Sequence, residues 1–236
     1  MDEDKEKSKG LKIVLATPLF PPEIEALSGY AKDLAKHLKN DHDIVVVSYA
    51  SRSEDIDGVR ILKINKRRPI LVRLFDYTLR LLKASKGFDI IHSQNAVASG
   101  LPAIIVGRIK KIPIVINFME EEAWKRSLQL GLSDQSLENF LQNPPGNLRT
   151  KLIISLERWV LRRAAKIIVS SETLRDILAE FYGLDKEKFI VSLRPIVKEQ
   201  VLNFAIAKNE NQIFTNGRLF EWSKINKLIE AMVDLG

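Results

Sequence analysis

Apolar residues in this chain gather in short blocks, separated by longer stretches in which they recur every three or four positions. Blocks such as Ile44-Val45-Val46-Val47 and Ile112-Pro113-Ile114-Val115-Ile116 are nearly continuous rather than alternating. That pattern suits strands buried on both faces, as in a parallel sheet. It predicts strands over 11–17, 43–48, 59–64, 89–92, 113–117, 166–170, 188–193 and 212–216. Helical spacing predicts helices over 29–39, 70–85, 97–110, 148–165, 172–182 and 222–234. Strand and helix alternate throughout, which implies right-handed crossovers and an α/β fold built on a doubly wound, mainly parallel sheet.

The first strand–helix unit carries the strongest hint of a site. A buried strand runs into Pro18, Pro21 and Pro22, and then a small-residue turn at Ser28-Gly29 opens a helix. Small residues let another molecule approach the backbone. Unpaired N–H groups at the helix start also favour an anion. In open α/β sheets, ligands sit outside the carboxyl ends of the strands.

Three further stretches stand out. In helix 70–85, Leu71, Leu74, Phe75 and Leu82 read as a core stripe, and Arg73, Arg80 and Lys83 read as a second face interrupted by Asp76. With Lys63, Lys66, Arg67 and Arg68 just upstream, that second face is either a solvated surface or a rest for anionic lipid headgroups. Helix 148–165 repeats the basic theme with Arg149, Lys151, Arg158, Arg162 and Arg163. Residues 118–147 read as a long irregular loop, of the kind that is often functional.

Composition narrows the chemistry. The chain has 236 residues, 45% of them hydrophobic, which is enough for a real core. It has no cysteine, so a disulfide framework, a thiol nucleophile and a Cys-zinc site are all excluded. The histidines are His37, His42 and His92, without metal-ligand spacing, so no metal and no bound cofactor is expected. No apolar run is long enough to span a membrane. Residues 1–10 lack a signal-peptide pattern and are expected to form a disordered tail, which makes a cytoplasmic protein, free or peripheral on a membrane, the expectation. The net charge of +7 suits an anionic partner: a nucleotide diphosphate or a phospholipid surface. Nucleic acid is not expected, because no reading helix or aromatic platform accompanies the charge. A nicotinamide dehydrogenase is disfavoured by the absence of Gly-x-Gly-x-x-Gly after the first strand.

Several segments in order resemble the N-terminal half of a family 4 glycosyltransferase with the GT-B fold. They are Lys12 to Pro22 with Ser28-Gly29, the strand Phe88-Asp-Ile-Ile-His92, the strand Ile112 to Phe118, the run Leu156 to Glu172, and Asn216-Gly-Arg-Leu219 followed by Leu228 to Met232. The resemblance implies a Rossmann-like acceptor-side domain over 11–193, a linker over 194–211, and the first strand and helix of a truncated donor-side domain over 212–236.

The resemblance further implies sugar transfer from a nucleotide-sugar donor to a sugar or lipid-linked acceptor, with retention of anomeric configuration. Such chemistry stabilises a leaving diphosphate with backbone N–H groups, Arg and Lys, and requires no metal. By the same resemblance, substrate-binding positions are Ser28, Gly29, His92, Met119 and Ser171, and donor-phosphate positions are Arg218 and Lys224. The family often places a histidine where this chain has Met119, and Glu120 or Glu121 would supply a nearby base. Ser171 also reads as a helix N-cap. Because the donor-side domain is cut short, activity is expected to need a second domain or a partner chain that supplies it. The alternative is a non-catalytic GT-B-derived binding module or a truncated gene product.

Overall fold

The computed structural model describes residues 10–23, 26–50, 54–193 and 225–233. Seven parallel strands form one sheet in the order β3-β2-β1-β4-β5-β6-β7. They are β1 Lys12–Thr17, β2 Asp43–Tyr49, β3 Arg60–Ile64, β4 Ile90–Ser93, β5 Ile114–Asn117, β6 Lys166–Val169 and β7 Phe189–Val191. The chain begins in the middle, moves outward through β2 to β3, crosses back to β4, and then moves outward the other way. β1 and β4 are therefore neighbours at the switch point of a doubly wound sheet, as the pattern of apolar blocks predicts.

The helices are α1 Ala26–Leu38, α2 Ile70–Ala84, α3 Gly100–Lys110, α4 Glu122–Gln129, α5 Leu137–Gln142, α6 Leu148–Arg163, α7 Glu172–Tyr182 and α8 Ile225–Val233. The two sides of the sheet are covered unequally. Ile13, Leu15, Ile44 and Val46 point to a small core closed by Ala31 and Ala35 of α1 and by Phe20. The intervening residues Val14, Ala16, Val45 and Val47 point to a larger core built from α2, α3, α6 and α7. This follows from right-handed crossovers, because the outward and return paths place their helices on opposite faces. Gly107 of α3 is required by close approach, since a Cβ there would collide with the side chain of Ile114. Gly183 caps α7 at φ 62°, in the left-handed region that glycine adopts without strain.

Three expectations change. First, α1 starts three residues earlier than predicted, so Ser28 and Gly29 belong to its first turns rather than to the loop before it. Second, residues 118–147 are not irregular: α4 and α5 occupy much of the stretch. Glu121 caps α4 by accepting from the Trp124 N–H, and Ser136 caps α5 by accepting from the Asn139 N–H at 3.4 Å. Third, the core stripe of α2 is rotated from the predicted one, with Leu74 and Leu82 half-buried. Tyr77, Leu81 and Ala84 are buried, whereas Leu71 and Phe75 are exposed. This helix is apolar around most of its circumference, so periodicity could not choose the inner face. A hydrogen-bonded tyrosine marks the face that packs: the Tyr77 hydroxyl donates to the Val47 carbonyl at 2.8 Å and lies 3.2 Å from that of Thr17. The predicted strand 212–216 and the linker lie outside the described residues.

Candidate functional site

The carboxyl ends of β1, β2 and β4 bring four polar side chains toward α1. Thr17 lies opposite Ser48 in the β1–β2 register, and Leu15 lies opposite His92 in the β1–β4 register. The Gln94 N–H continues that ladder by donating to the Ala16 carbonyl at 2.9 Å. Side chains alternate along a strand. Ile44 and Val46 face α1, so Ser48 does too; Ile90 packs on the same core, so His92 and Gln94 follow it. Ser28 stands three residues before Ala31 and seven before Ala35, on the inward stripe of α1. Its N–H is among the first-turn donors that have no intrahelical partner.

The hydrogen-bonding state of this cluster sets it apart. The Ser28 Oγ, Ser48 Oγ, His92 Nε2, and Gln94 Oε1 and Nε2 atoms are all buried, and none has a protein partner. Each orphaned polar atom costs about 1–3 kcal/mol, and native folds hold few of them. Thr17 is different: its Oγ1 donates to the Leu19 carbonyl at 2.8 Å and is satisfied. Burial pushes His92 down to about 4, so the imidazole is neutral at pH 7. The group set is thus two hydroxyls, a carboxamide and a neutral ring. Such a group set is chemically suited to an uncharged polyhydroxylated ligand, and the positive end of the α1 dipole to an adjacent anion. A histidine with so low a pKa holds a hydroxyl well but is a weak base.

Gly29 is exposed on the outer side of α1, with open space where a Cβ would stand. Met119 lies just beyond β5 and is half-buried. Glu120 is exposed and pairs with Lys125 at 2.6 Å. Ser171 caps α7, accepting from the Leu174 N–H at 3.1 Å.

Glu121 is buried in a second polar cluster on the opposite side of the sheet. The Tyr182 hydroxyl donates within it, 3.0 Å from Glu121 Oε1 and 3.1 Å from Glu157 Oε2, and the Glu122 N–H donates to Glu157 Oε1 at 3.1 Å. Burial first, and then the charge of Glu121, hold the Glu157 carboxyl well above the usual range. Arg218 and Lys224 lie outside the described residues. No group of His, Asp or Glu among the described residues is arranged to hold a metal ion.

Ser48, Gln94, Glu157 and Tyr182 were not singled out from the sequence. The signals exist nonetheless. Ser48 and Gln94 each close an apolar strand in step with its α1-facing residues, and Glu157 sits within the apolar stripe of α6.

A parallel doubly wound domain with unsatisfied polar groups at its switch point has the layout of α/β domains that bind ligands there. A sequence profile for glycosyltransferase family 4 matches residues 28–197, more than half of the chain, and the protein belongs to that family. No curated protein matches it in sequence. Among solved structures, the Anabaena protein HepE in complex with UDP and glucose is similar at TM-score 0.50 and 13% identity, over 79% of this chain and 45% of that one. A glycosyltransferase from Rickettsia africae aligns at TM-score 0.48 and 14% identity, over 79% of this chain and 44% of that one. The UDP-GlcNAc 2-epimerase of Methanocaldococcus jannaschii aligns at TM-score 0.44 and 15% identity, over 77% and 45%. The chain spans less than half the length of each of these structures. The fold is the GT-B type of α/β domain, as the resemblance implied. Among the described residues, no helix is long and apolar enough to cross a membrane.

Proposed function

We propose that this domain is the acceptor-side half of a retaining glycosyltransferase that moves a sugar from a nucleotide-sugar donor to a sugar or lipid-linked acceptor. The observation that carries this reading is the set of orphaned groups on Ser28, Ser48, His92 and Gln94 beneath the first turn of α1. Uncharged donors and acceptors match sugar hydroxyls, and the α1 N-terminus matches a neighbouring phosphate. HepE holds UDP and glucose, which supports a nucleotide-sugar donor here.

In this reading, His92 and Ser28 orient the acceptor, and Gly29 leaves the outer side of α1 clear for the donor. Met119 and Ser171 line the same carboxyl edge. Arg218 and Lys224 take the donor phosphates from a donor-side domain, and the diphosphate charge needs no metal when cationic side chains surround it. Glu120 is the accessible candidate base, because the Glu121 carboxylate is already engaged by Trp124 and Tyr182.

The test is saturable binding of acceptor glycosides and of UDP-, GDP- and ADP-sugars, followed by transfer with labelled donors, with and without a donor-side domain. We expect acceptor binding by this chain, at least tenfold weaker in His92→Ala, a loss of about 1.4 kcal/mol. Absence of binding, and of transfer even with the donor-side domain present, would overturn it. A second reading, a binding module without turnover, is favoured by Met119 and by the engaged Glu121. It predicts acceptor binding with no transfer under any donor.

A further inference from the structure

α2 buries one stripe and leaves another apolar stripe in solvent. Ile70 is 69% exposed, Leu71 76% and Phe75 65%, with Val72 and Leu79 exposed beside them. α3 packs alongside α2 and adds exposed Ile105 and Ile109. An apolar surface of this extent on a helix pair is uncommon in a free-standing soluble domain and marks an interaction face.

The surroundings say what the partner is. Arg67, Arg68, Arg80 and Lys83 are exposed around the α2 face, and Arg108 and Lys110 are exposed beside the α3 residues. The one acidic residue of α2, Asp76, is held between Arg80 at 3.0 Å and Arg68 at 3.3 Å. A recess of about 220 Å³ opens there, lined by Ala50, Lys63, Asn65, Arg68, Asp76 and Arg80. Three cations against one carboxylate leave it positive, and its size suits a phosphate-bearing headgroup. The basic residues in the C-terminal half of α6 are different, because they are used in packing. Arg158 lies over Phe181 at 5.7 Å, Arg163 over Trp159 at 4.3 Å, and Arg162 donates to the Tyr182 carbonyl at 3.4 Å. Around α2, Arg67 and Lys83 are exposed next to the exposed Ile70, Leu71, Val72, Phe75 and Leu79.

We propose that α2 is an interfacial helix that docks the domain on an anionic lipid surface. Ile70, Leu71, Val72, Phe75 and Leu79 enter the acyl boundary, and the flanking arginines and Lys83 rest at headgroup level. A second copy of this chain fits poorly, since a symmetric contact would bring two basic rims together. The geometry also serves the site. α2 follows β3, so its N-terminus lies at the carboxyl edge of the sheet, the edge that carries Ser28 and His92. Docking there brings a lipid-linked acceptor close to the cleft. The docking itself does not depend on sugar transfer.

The experiment is co-sedimentation of the full chain with vesicles of phosphatidylcholine alone and of phosphatidylcholine mixed with phosphatidylglycerol. No sugar nucleotide is added, so failure here and failure of the transferase reading remain separate. We expect binding to the anionic vesicles that weakens with salt. Leu71→Ser with Phe75→Ser should weaken it at least about tenfold, with an unchanged melting temperature because both side chains are exposed. Arg67→Glu with Lys83→Glu should weaken it at low salt. Three results would overturn the proposal: no co-sedimentation with anionic vesicles, binding unaltered in both variants, or a dimer in sedimentation equilibrium that the Leu71→Ser/Phe75→Ser variant dissociates.

Discussion

Two buried polar clusters lie on opposite faces of one sheet, and they have opposite accounts of their hydrogen bonds. On the α2–α7 side, Glu121, Glu157 and Tyr182 share a hydroxyl proton, a helix cap and a backbone N–H, so each member has a partner. On the α1 side, Ser28, Ser48, His92 and Gln94 carry atoms with none. Burial of polar groups is tolerated when they are satisfied and is costly when they are not. The first cluster therefore holds α4, α6 and α7 together. The second is the one that, in our proposal, a bound acceptor completes. Burial alone would have marked both as sites, or neither.

The largest test of this contrast is Glu157→Ala. It removes the acceptor of the Glu122 N–H and half of the Tyr182 network, and we expect a loss of about 3 kcal/mol in urea unfolding. A loss below about 0.5 kcal/mol would remove the structural role assigned to that cluster.

The pH dependence of stability comes next, because the two clusters pull in opposite directions. His92 is held down, to about 4 from 6.5. Its contribution is present above about 6.5 and lost as pH falls toward 4, because only the unfolded chain takes up the proton readily. That amounts to about 2–3 kcal/mol, removed in His92→Gln. Glu157 is held up. Its contribution is complete below the ordinary carboxyl range and declines as pH rises toward its folded value; Glu157→Gln should flatten that decline. Melting temperatures of the three proteins across pH 4–8 read both slopes, and parallel curves would contradict both assignments.

Tyr182→Phe follows, at about 1–2 kcal/mol, since it removes the hydroxyl that bridges one oxygen of each of two buried carboxyl groups. The smallest effect belongs to Ser48→Ala. Its hydroxyl has no partner to lose, so stability should stay within about 0.5 kcal/mol of wild type or rise. Acceptor binding should weaken all the same. A stability loss above about 1 kcal/mol would mean that this hydroxyl is already satisfied in the free protein.

Much of this was legible in the chain. Parallel strands buried on both faces read as Ile44 to Val47 and Ile112 to Ile116, and the strand-to-helix turn at Ser171 read as a cap. His92 was singled out because it stands near the end of an apolar strand, and Ser28 because it belongs to a small-residue pair near a helix start. Ser48 and Gln94 were not, because a polar residue closing an apolar strand acquires meaning only from the strand beside it. Glu121 read as a candidate base, yet its environment depends on Glu157 and Tyr182, which are 36 and 61 residues away. The helices within 118–147 went unread because their lengths of 8 and 6 residues are too short for periodicity.

By itself, then, the amino-acid order determined the strands, their parallel sense and the doubly wound class of the sheet, because apolar periodicity and local turn chemistry act over neighbouring residues; the strand order, and with it the switch point, came from the tertiary structure. Only the tertiary structure decided which stripe of α2 faces water, which polar groups are satisfied, and which are left open. Those outcomes depend on register between distant strands and on which helix lies across which face. A chain of mostly apolar helix residues leaves that choice to packing, and here packing put Tyr77 inward and Leu71 and Phe75 out.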